Sequence, residues 1–548
     1  MNFSSVYLFT SWEFFVFLAV SLLGYFTVPK AIAAIGRTKA LQKFTFLQNT
    51  QWIWLLISSV IFYISYYSFL STKYKFGNTA YLFFLFLIAS ILSVYFSALI
   101  INRLTSKQKA KAKENPAEKK LIKKSFTTKK RLVILICCLI NFGILSVLKY
   151  SGFAIENINN LGFSLTTLDW IILPLGISFY TFQCIGYIVD IYRGIIKPER
   201  NLFKFTLFIM YFPHIFQGPI GRYNHLAPQL FSAHKFNYEQ TIKGIFRIVW
   251  GLFKKLVVAD RVIIFINEIF SAHSEYSAPL LILAVVMNAI WLYADFSGYM
   301  DIALGASQIM GITLTENFDT PFFSLSVAEF WRRWHISLGS WFRDYLFYPI
   351  SISNIWRKNK DKNAFGRFCA KNLGGIIGNI AVWLTMGIWH GASWNFVFEG
   401  VFFGIIIIVS NLLDKPFRFT NEKFKGWFFD FLRILRTFSL VAIGFLFFSA
   451  NSLSQAIDIL KNIATLNLSG AMSPFVPNFN KFSWAIALFG IVVMLIFEII
   501  QAKKGALCDF IFKKKYIFRA VILLFLLVSV IIFGIYGSGE VSFAYFDF

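Results

Sequence analysis

A chain of 548 residues in which 57% are hydrophobic, 68 are Phe and only 15% are charged cannot cover a water-facing surface with polar groups. That excludes a soluble globular protein and predicts an all-α, polytopic membrane protein. The formal net charge of +26 does not imply a nucleic-acid partner. Lys and Arg gather in short stretches between apolar runs, as they do on the cytoplasmic side of membrane proteins.

In chain order, apolar runs lie near 12–34, 51–70, 79–101, 132–153, 168–190, 256–272, 279–311, 372–389, 396–413, 428–450, 482–501 and 518–537. Most approach the roughly 20 residues that a helix needs to cross a bilayer. Basic stretches fall at 37–43, 103–131, 193–204, 357–371, 415–425 and 503–519. Assigning them all to the cytoplasm puts both termini outside and closes the parity with twelve crossings, within an expected range of eleven to thirteen. Segments 205–223 and 321–350 are expected to be buried, re-entrant or amphipathic. No Lys or Arg precedes the first run, and Glu13 sits within it, so it is expected to be an uncleaved span. The densest basic stretch, 103–131, holds twelve Lys/Arg against Glu114 and Glu118. It is expected to be a solvated cytoplasmic loop with affinity for anionic lipid headgroups, the alternative being a docking surface for an acidic partner. The five cysteines form no CxxC and are expected to be reduced structural thiols. The chain divides into N-terminal helices over 1–165, a core over 166–415 and C-terminal helices over 416–548.

Three polar islands interrupt this apolar chain. The first, 212–223, contains Pro213, Pro219, Gly218 and Gly221, which forbid an uninterrupted helix. Broken backbone at membrane depth must be buried in protein or line a cavity; an interfacial loop carrying His214 and Arg222 is the alternative. The second island, 293–301, sets Asp295, Ser297, Tyr299 and Asp301 inside a long apolar run. Its carboxylates need partners, for which the arginines of the third island are candidates. No His or Cys stands at ligand spacing beside them, so no metal is expected. The third island runs from Phe330 to Tyr345. On one helix, Trp331, Trp334, His335, Leu338 and Trp341 share a face, with Arg332 and Arg343 on another. An interfacial amphipathic helix accounts for the pattern, but not for His335 on the apolar face.

One further imidazole, His390, lies between Trp389 and Trp394 at the end of an apolar run. An ionisable group there is a functional candidate by default, and histidine suits proton transfer near neutral pH. Gly387 and Gly391 flank it, letting another backbone or a substrate come close. Trp389 and Trp394 offer rigid apolar walls. A structural histidine bonded to a carbonyl is the plain alternative. Buried His, Asp and Arg also suit the proton relay of a transporter, although no internal repeat supports that architecture.

The stretches Phe330-Trp331-Arg332-Arg333-Trp334-His335-Ile336-Ser337-Leu338, Trp341-Phe342-Arg343-Asp344-Tyr345-Leu346 and Trp389-His390-Gly391 resemble the membrane-bound O-acyltransferase superfamily. Within it they look like the bacterial branch of alginate acetylation and lipoteichoic-acid D-alanylation. Segments 173–183, 251–255 and 295–299 match as well, so the resemblance extends from about residue 170 to 400. It implies many transmembrane helices around a central tunnel, in a bacterial cytoplasmic membrane. The histidine of Trp-His-Gly, here His390, is then catalytic, and His335 lines the tunnel and supports the reaction. The acyl group arrives from the cytoplasm as acetyl-CoA or a carrier-bound thioester, with no tightly bound cofactor. The acceptor hydroxyl, on a polysaccharide or a relay protein, lies on the far side, where an acetyl-handling partner protein is expected. Segments 218–223 and 391–397 look more like the acetylating members, and the extra C-terminal spans point the same way. Gly221 and Glu399 depart from the bulkier and apolar residues expected there, and neither falls on a position expected to be catalytic.

The chemistry expected of such a site is general-base attack. A hydroxyl attacks a thioester poorly unless a base takes its proton, a contribution of roughly a hundred- to ten-thousand-fold. His390 is expected to be that base and His335 to orient the donor or polarise its carbonyl. Asn395 is a candidate oxyanion donor. Trp389, Trp394, Trp334, Arg332, Arg343, Asp344, Asp295, Ser297 and Tyr299 are expected to line the substrate path.

Overall fold

The computed structural model describes residues 8–35, 50–73, 84–166, 173–215, 217–353 and 364–536. The basic stretch 37–43, the segment 354–363 and both chain ends lie outside the described residues. The chain is a multi-pass, all-α membrane protein, and among the described residues its β pairing consists of isolated bridges.

Among the described residues, nine helices are long and apolar enough to cross a membrane, and Trp12–Val28 forms a shorter apolar helical stretch. Two of the twelve expected runs take another form. The run 168–190 yields the 17-residue helix Ile177–Arg193, buried on nearly every side. The run 256–272 divides between a π-helical turn, Phe253–Ala259, and the helix Asp260–Ser271. A helix apolar all round can be a protein-buried element rather than a lipid-facing one, and composition alone does not separate the two.

The expected loop over 103–131 is a helical hairpin instead. Phe84–Glu114 has 31 residues and Lys119–Asn159 has 41, joined by the short turn Pro116–Glu118. Lys, Gln, Ala and Glu are strong helix formers, so both apolar helices continue as charged ones until Pro116 opens the turn. At 1.5 Å per residue they measure about 46 and 61 Å, well beyond a hydrocarbon layer of about 30 Å. Most lysines near the tip are exposed, while Lys130 donates to Gln108 Oε1 at 2.8 Å.

The chain forms two compact units, Met1–Ile245 with Ala303–Thr315, and Phe246–Ile302 with Glu316–Phe548. In the first, the Pro/Gly island is interior rather than interfacial. His214 is buried on the short helix Phe212–Ile215, its Nε2 3.2 Å from Gln183 Oε1. Gly218 lies against the His214 backbone and leaves no room for a Cβ.

In the second unit, the helices Ala364–His390 and Trp394–Leu412 pack along their lengths, with Trp427–Ser449 against the latter. Glycine makes this approach possible. A Cβ at Gly387 would meet the Phe396 carbonyl and stand 3.2 Å from Gly400 Cα, and one at Gly400 would meet the Trp383 carbonyl.

Candidate active site

His335 and His390 both belong to the second unit and reach their places by different routes. The helix expected through 330–345 is broken at the first of them. Ser326 caps Val327–Arg333 by accepting from the Glu329 amide at 3.2 Å, and Trp334 then turns extended and bridges Phe318. His335 follows with φ 45° and ψ 53°, in the left-handed region, and Ile336–Phe342 starts a new helix. Asn317 explains the break. Its carbonyl accepts from the Ile336 amide at 3.1 Å and its side-chain oxygen from the Ser337 amide at 2.9 Å. These bonds stand in for the intrahelical partners those amides would otherwise have. A left-handed non-glycine residue costs about 1–2 kcal/mol, which the bonds from Asn317 offset.

The break drives the His335 imidazole inward. Its ring meets the edge of Phe296 at 4.9 Å and lies 6.1 Å from the Trp389 ring. Burial, with the His390 imidazole nearby, pushes His335 down to about 3. It is therefore neutral at pH 7 and suited to polar contact without charge.

His390 is the last residue of Ala364–His390, before the turn that leads to Ser393 and the next helix. It is buried, with Phe448 edge-on at 5.2 Å and Trp389 beside it at 5.5 Å. Nδ1 stands 2.8 Å from Glu399 Oε2, and both side chains are at most 4% exposed. Glu399 shares the buried face of Trp394–Leu412 with Asn395, Phe403 and Ile407. This carboxylate, out of place in an apolar helix, stands against the His390 imidazole.

Two cavities lie near these side chains. One of about 460 Å³ is lined by His335 with Trp331, Arg332, Trp334, Arg343 and Trp383. The other, of about 570 Å³, is lined by Asn288, Trp291, Ser393, Asn395, Phe396 and Phe448. Phe448 carries its wall to His390, while Arg332 and Arg343 bring positive charge to the mouth of the first.

Other expected site residues take different roles. Asn395 spends both amide hydrogens on the carbonyls of Phe447 and Ala450, at 3.0 and 2.9 Å. It ties two helices together rather than facing an oxyanion. Trp389 is buried, whereas Trp394 is 56% exposed. Asp344 pairs with its neighbour Arg343 at 3.1 Å near the surface.

The partners of the second island are not the arginines of the third. Lys255 Nζ lies 2.6 Å from Asp295 and 2.8 Å from Asp260. Asp301 pairs with Lys254 at 2.5 Å and with Arg247 at 2.8 Å, and Lys254 also donates to Ser297 at 2.9 Å. The fit depends on Gly251 and Gly298, since a Cβ on Gly298 would stand 2.9 Å from the Gly251 carbonyl. Tyr299 is buried on the same helix. The Arg247, Lys254 and Asp301 cluster borders a separate cavity of about 380 Å³ that neither histidine lines. Removing one partner from such a network would leave an uncompensated buried charge.

The chain is similar to several known proteins. Residues 196–450 match the membrane-bound O-acyltransferase family. The chain is 33% identical over 327 residues to the probable alginate O-acetylase AlgI of Pseudomonas putida, covering 58% of this chain and 61% of that protein. It is 29% identical over 482 residues to the peptidoglycan O-acetyltransferase of Helicobacter pylori, covering 83% and 79%. Against the teichoic acid D-alanyltransferase of Bacillus subtilis it is 32% identical over 284 residues, covering 50% and 68%. The matches span about three fifths of the length of the alginate O-acetylases.

Proposed function

Because the chain belongs to the membrane-bound O-acyltransferase family, we propose that it is a membrane-embedded O-acetyltransferase. It moves an acetyl group from a cytoplasmic thioester, acetyl-CoA or a carrier-bound acyl group, to a hydroxyl of an extracytoplasmic polysaccharide or relay protein. The observation that carries this reading is the pair of buried imidazoles, His335 lining a cavity bordered by arginines and His390 in ring contact with Phe448, which lines a second cavity bordered by amides and hydroxyls. The likeness to alginate and peptidoglycan acetylating proteins supports acetate as the transferred group. An extracytoplasmic acetyl-handling protein is the expected partner.

In this mechanism the donor carbonyl enters beside neutral His335, and the acceptor hydroxyl approaches His390 from the other cavity. His390 removes the hydroxyl proton as oxygen attacks the carbonyl carbon. As the carbon–sulfur bond breaks, His390 returns the proton to the departing thiolate, leaving an ester and a thiol. His335 holds or polarises the donor carbonyl, an interaction that gains strength in a dry site. The basic stretches support a bacterial cytoplasmic-membrane location with the densest of them, 103–131, inside, which puts both termini outside.

The test is base-labile ester on purified envelope and secreted glycans from wild type, a deletion strain and His390→Ala at matched expression. Ester acetate is expected to disappear in both mutants, and the fraction that loses it names the acceptor. Acetate retained by His390→Ala refutes the base assignment. Loss of D-alanine ester in place of acetate keeps the family chemistry and replaces the acyl group.

A further inference from the structure

Glu399 is the one feature of the site that neither the motifs nor the proposed chemistry has used. It lies within an apolar helix, nine residues beyond His390, and is 1% exposed. Among the described residues its hydrogen-bond partner is His390 Nδ1. An acidic side chain within an apolar helix is costly, so an apolar residue would serve the helix interface better unless the carboxylate acts on its neighbour.

Several charged groups near this helix pair are engaged with each other. Arg343 and Asp344, on the turn packed against the His390 helix, pair with each other, and Arg333 pairs with Glu329 at 2.7 Å. From Trp427–Ser449, His390 meets the ring of Phe448. Among the described residues, Glu399 and His335 are titratable groups close to it.

We propose that Glu399 is a positioning residue for the transfer step, acting through His390. Its carboxylate accepts the Nδ1 proton, which fixes the ring orientation and the tautomer with Nε2 unprotonated. Nε2 then takes the acceptor's proton, and the carboxylate stabilises the imidazolium formed while the thioester is attacked. Glu399 exchanges no proton of its own: the proton passes from hydroxyl to Nε2 to the departing sulfur. The proposal rests on His390 being the base. A buried carboxylate beside an imidazole has this effect in other acyl-transfer sites, where the partner nitrogen is the one that reacts.

Two measurements on the full-length protein decide it. The first is nitrogen NMR of the protein labelled with ¹⁵N-histidine, with His390→Ala identifying the His390 signals among six histidines. Wild type is expected in the Nδ1–H tautomer, and so is Glu399→Gln, whose side-chain oxygen still accepts the bond. Glu399→Leu is expected to lose that preference. The second is ester acetate on the glycans of cells expressing each variant. Glu399→Gln is expected to fall about tenfold, and Glu399→Leu about a hundredfold, the range found for carboxylates that orient metal-bound histidines. Glu399→Leu is nonetheless expected to keep its thermal midpoint, because Leu suits the apolar interface. Activity lost while the fold is kept separates positioning from packing. A His390 signal in the Nε2–H tautomer, or one unmoved by Glu399→Leu, overturns the proposal. So does wild-type acetate in Glu399→Leu. Full acetate in His390→Ala is a different failure and removes the base assignment itself.

Discussion

His335 joins two properties that substitution can separate, a left-handed backbone and a buried imidazole. His335→Ala and His335→Gly both remove the ring, but only glycine adopts φ 45° without strain. We expect the glycine variant to be more stable than the alanine variant by about 1 kcal/mol, and valine to be worse than either. Thermal unfolding in detergent measures the order; equal midpoints for Ala and Gly would mean that the left-handed turn is not imposed by its surroundings. Both histidines were legible in the sequence, because an imidazole amid tryptophans in an apolar run is conspicuous. The role of Glu399 was not. Sequence exposes a misplaced carboxylate, but its partner depends on the register between two helices. Asn395 misled for the same reason, since its amide hydrogens go to carbonyls 52 and 55 residues away.

The element that sets this register is the glycine contact between Ala364–His390 and Trp394–Leu412. Gly387→Ala is expected to push the helices apart against the Phe396 carbonyl, lowering the thermal midpoint by several degrees and reducing transfer severalfold. Gly404→Ala meets the Trp383 side chain at 3.0 Å and should cost less, while Gly375→Ala has open space and should be neutral or slightly stabilising. Ester acetate and unfolding measured on the three variants check the ranking; equal effects would exclude backbone approach as the cause. Periodicity gave the long helices well, because each apolar run has its own local signal. It carried the 330–345 helix through Trp334, where Asn317 and Phe318 interrupt it. Such an interruption is a tertiary contact, invisible to a helical wheel. The ion pairs of the second island were misassigned likewise, since Lys255 lies 40 residues before Asp295 in the chain.

At the scale of the whole molecule, composition and run length identify a polytopic helical membrane protein, and the basic stretches suggest its orientation. The hairpin tests that orientation. A cysteine placed at Ala117, at its turn, should react with a membrane-impermeant thiol reagent only after the cells are opened. Labelling of intact cells would invert the assignment. Its two helices run well past their apolar halves and end in twelve Lys/Arg. During synthesis these charges emerge after the first apolar half and before the second, and dragging them through lipid costs about 2.5–3.5 kcal/mol for each one at the bilayer centre. The tip is therefore left on the side where the chain is made, whether the two helices enter the bilayer singly or together. The charged halves thus act as a stop to translocation, holding the apolar halves in register with the bilayer.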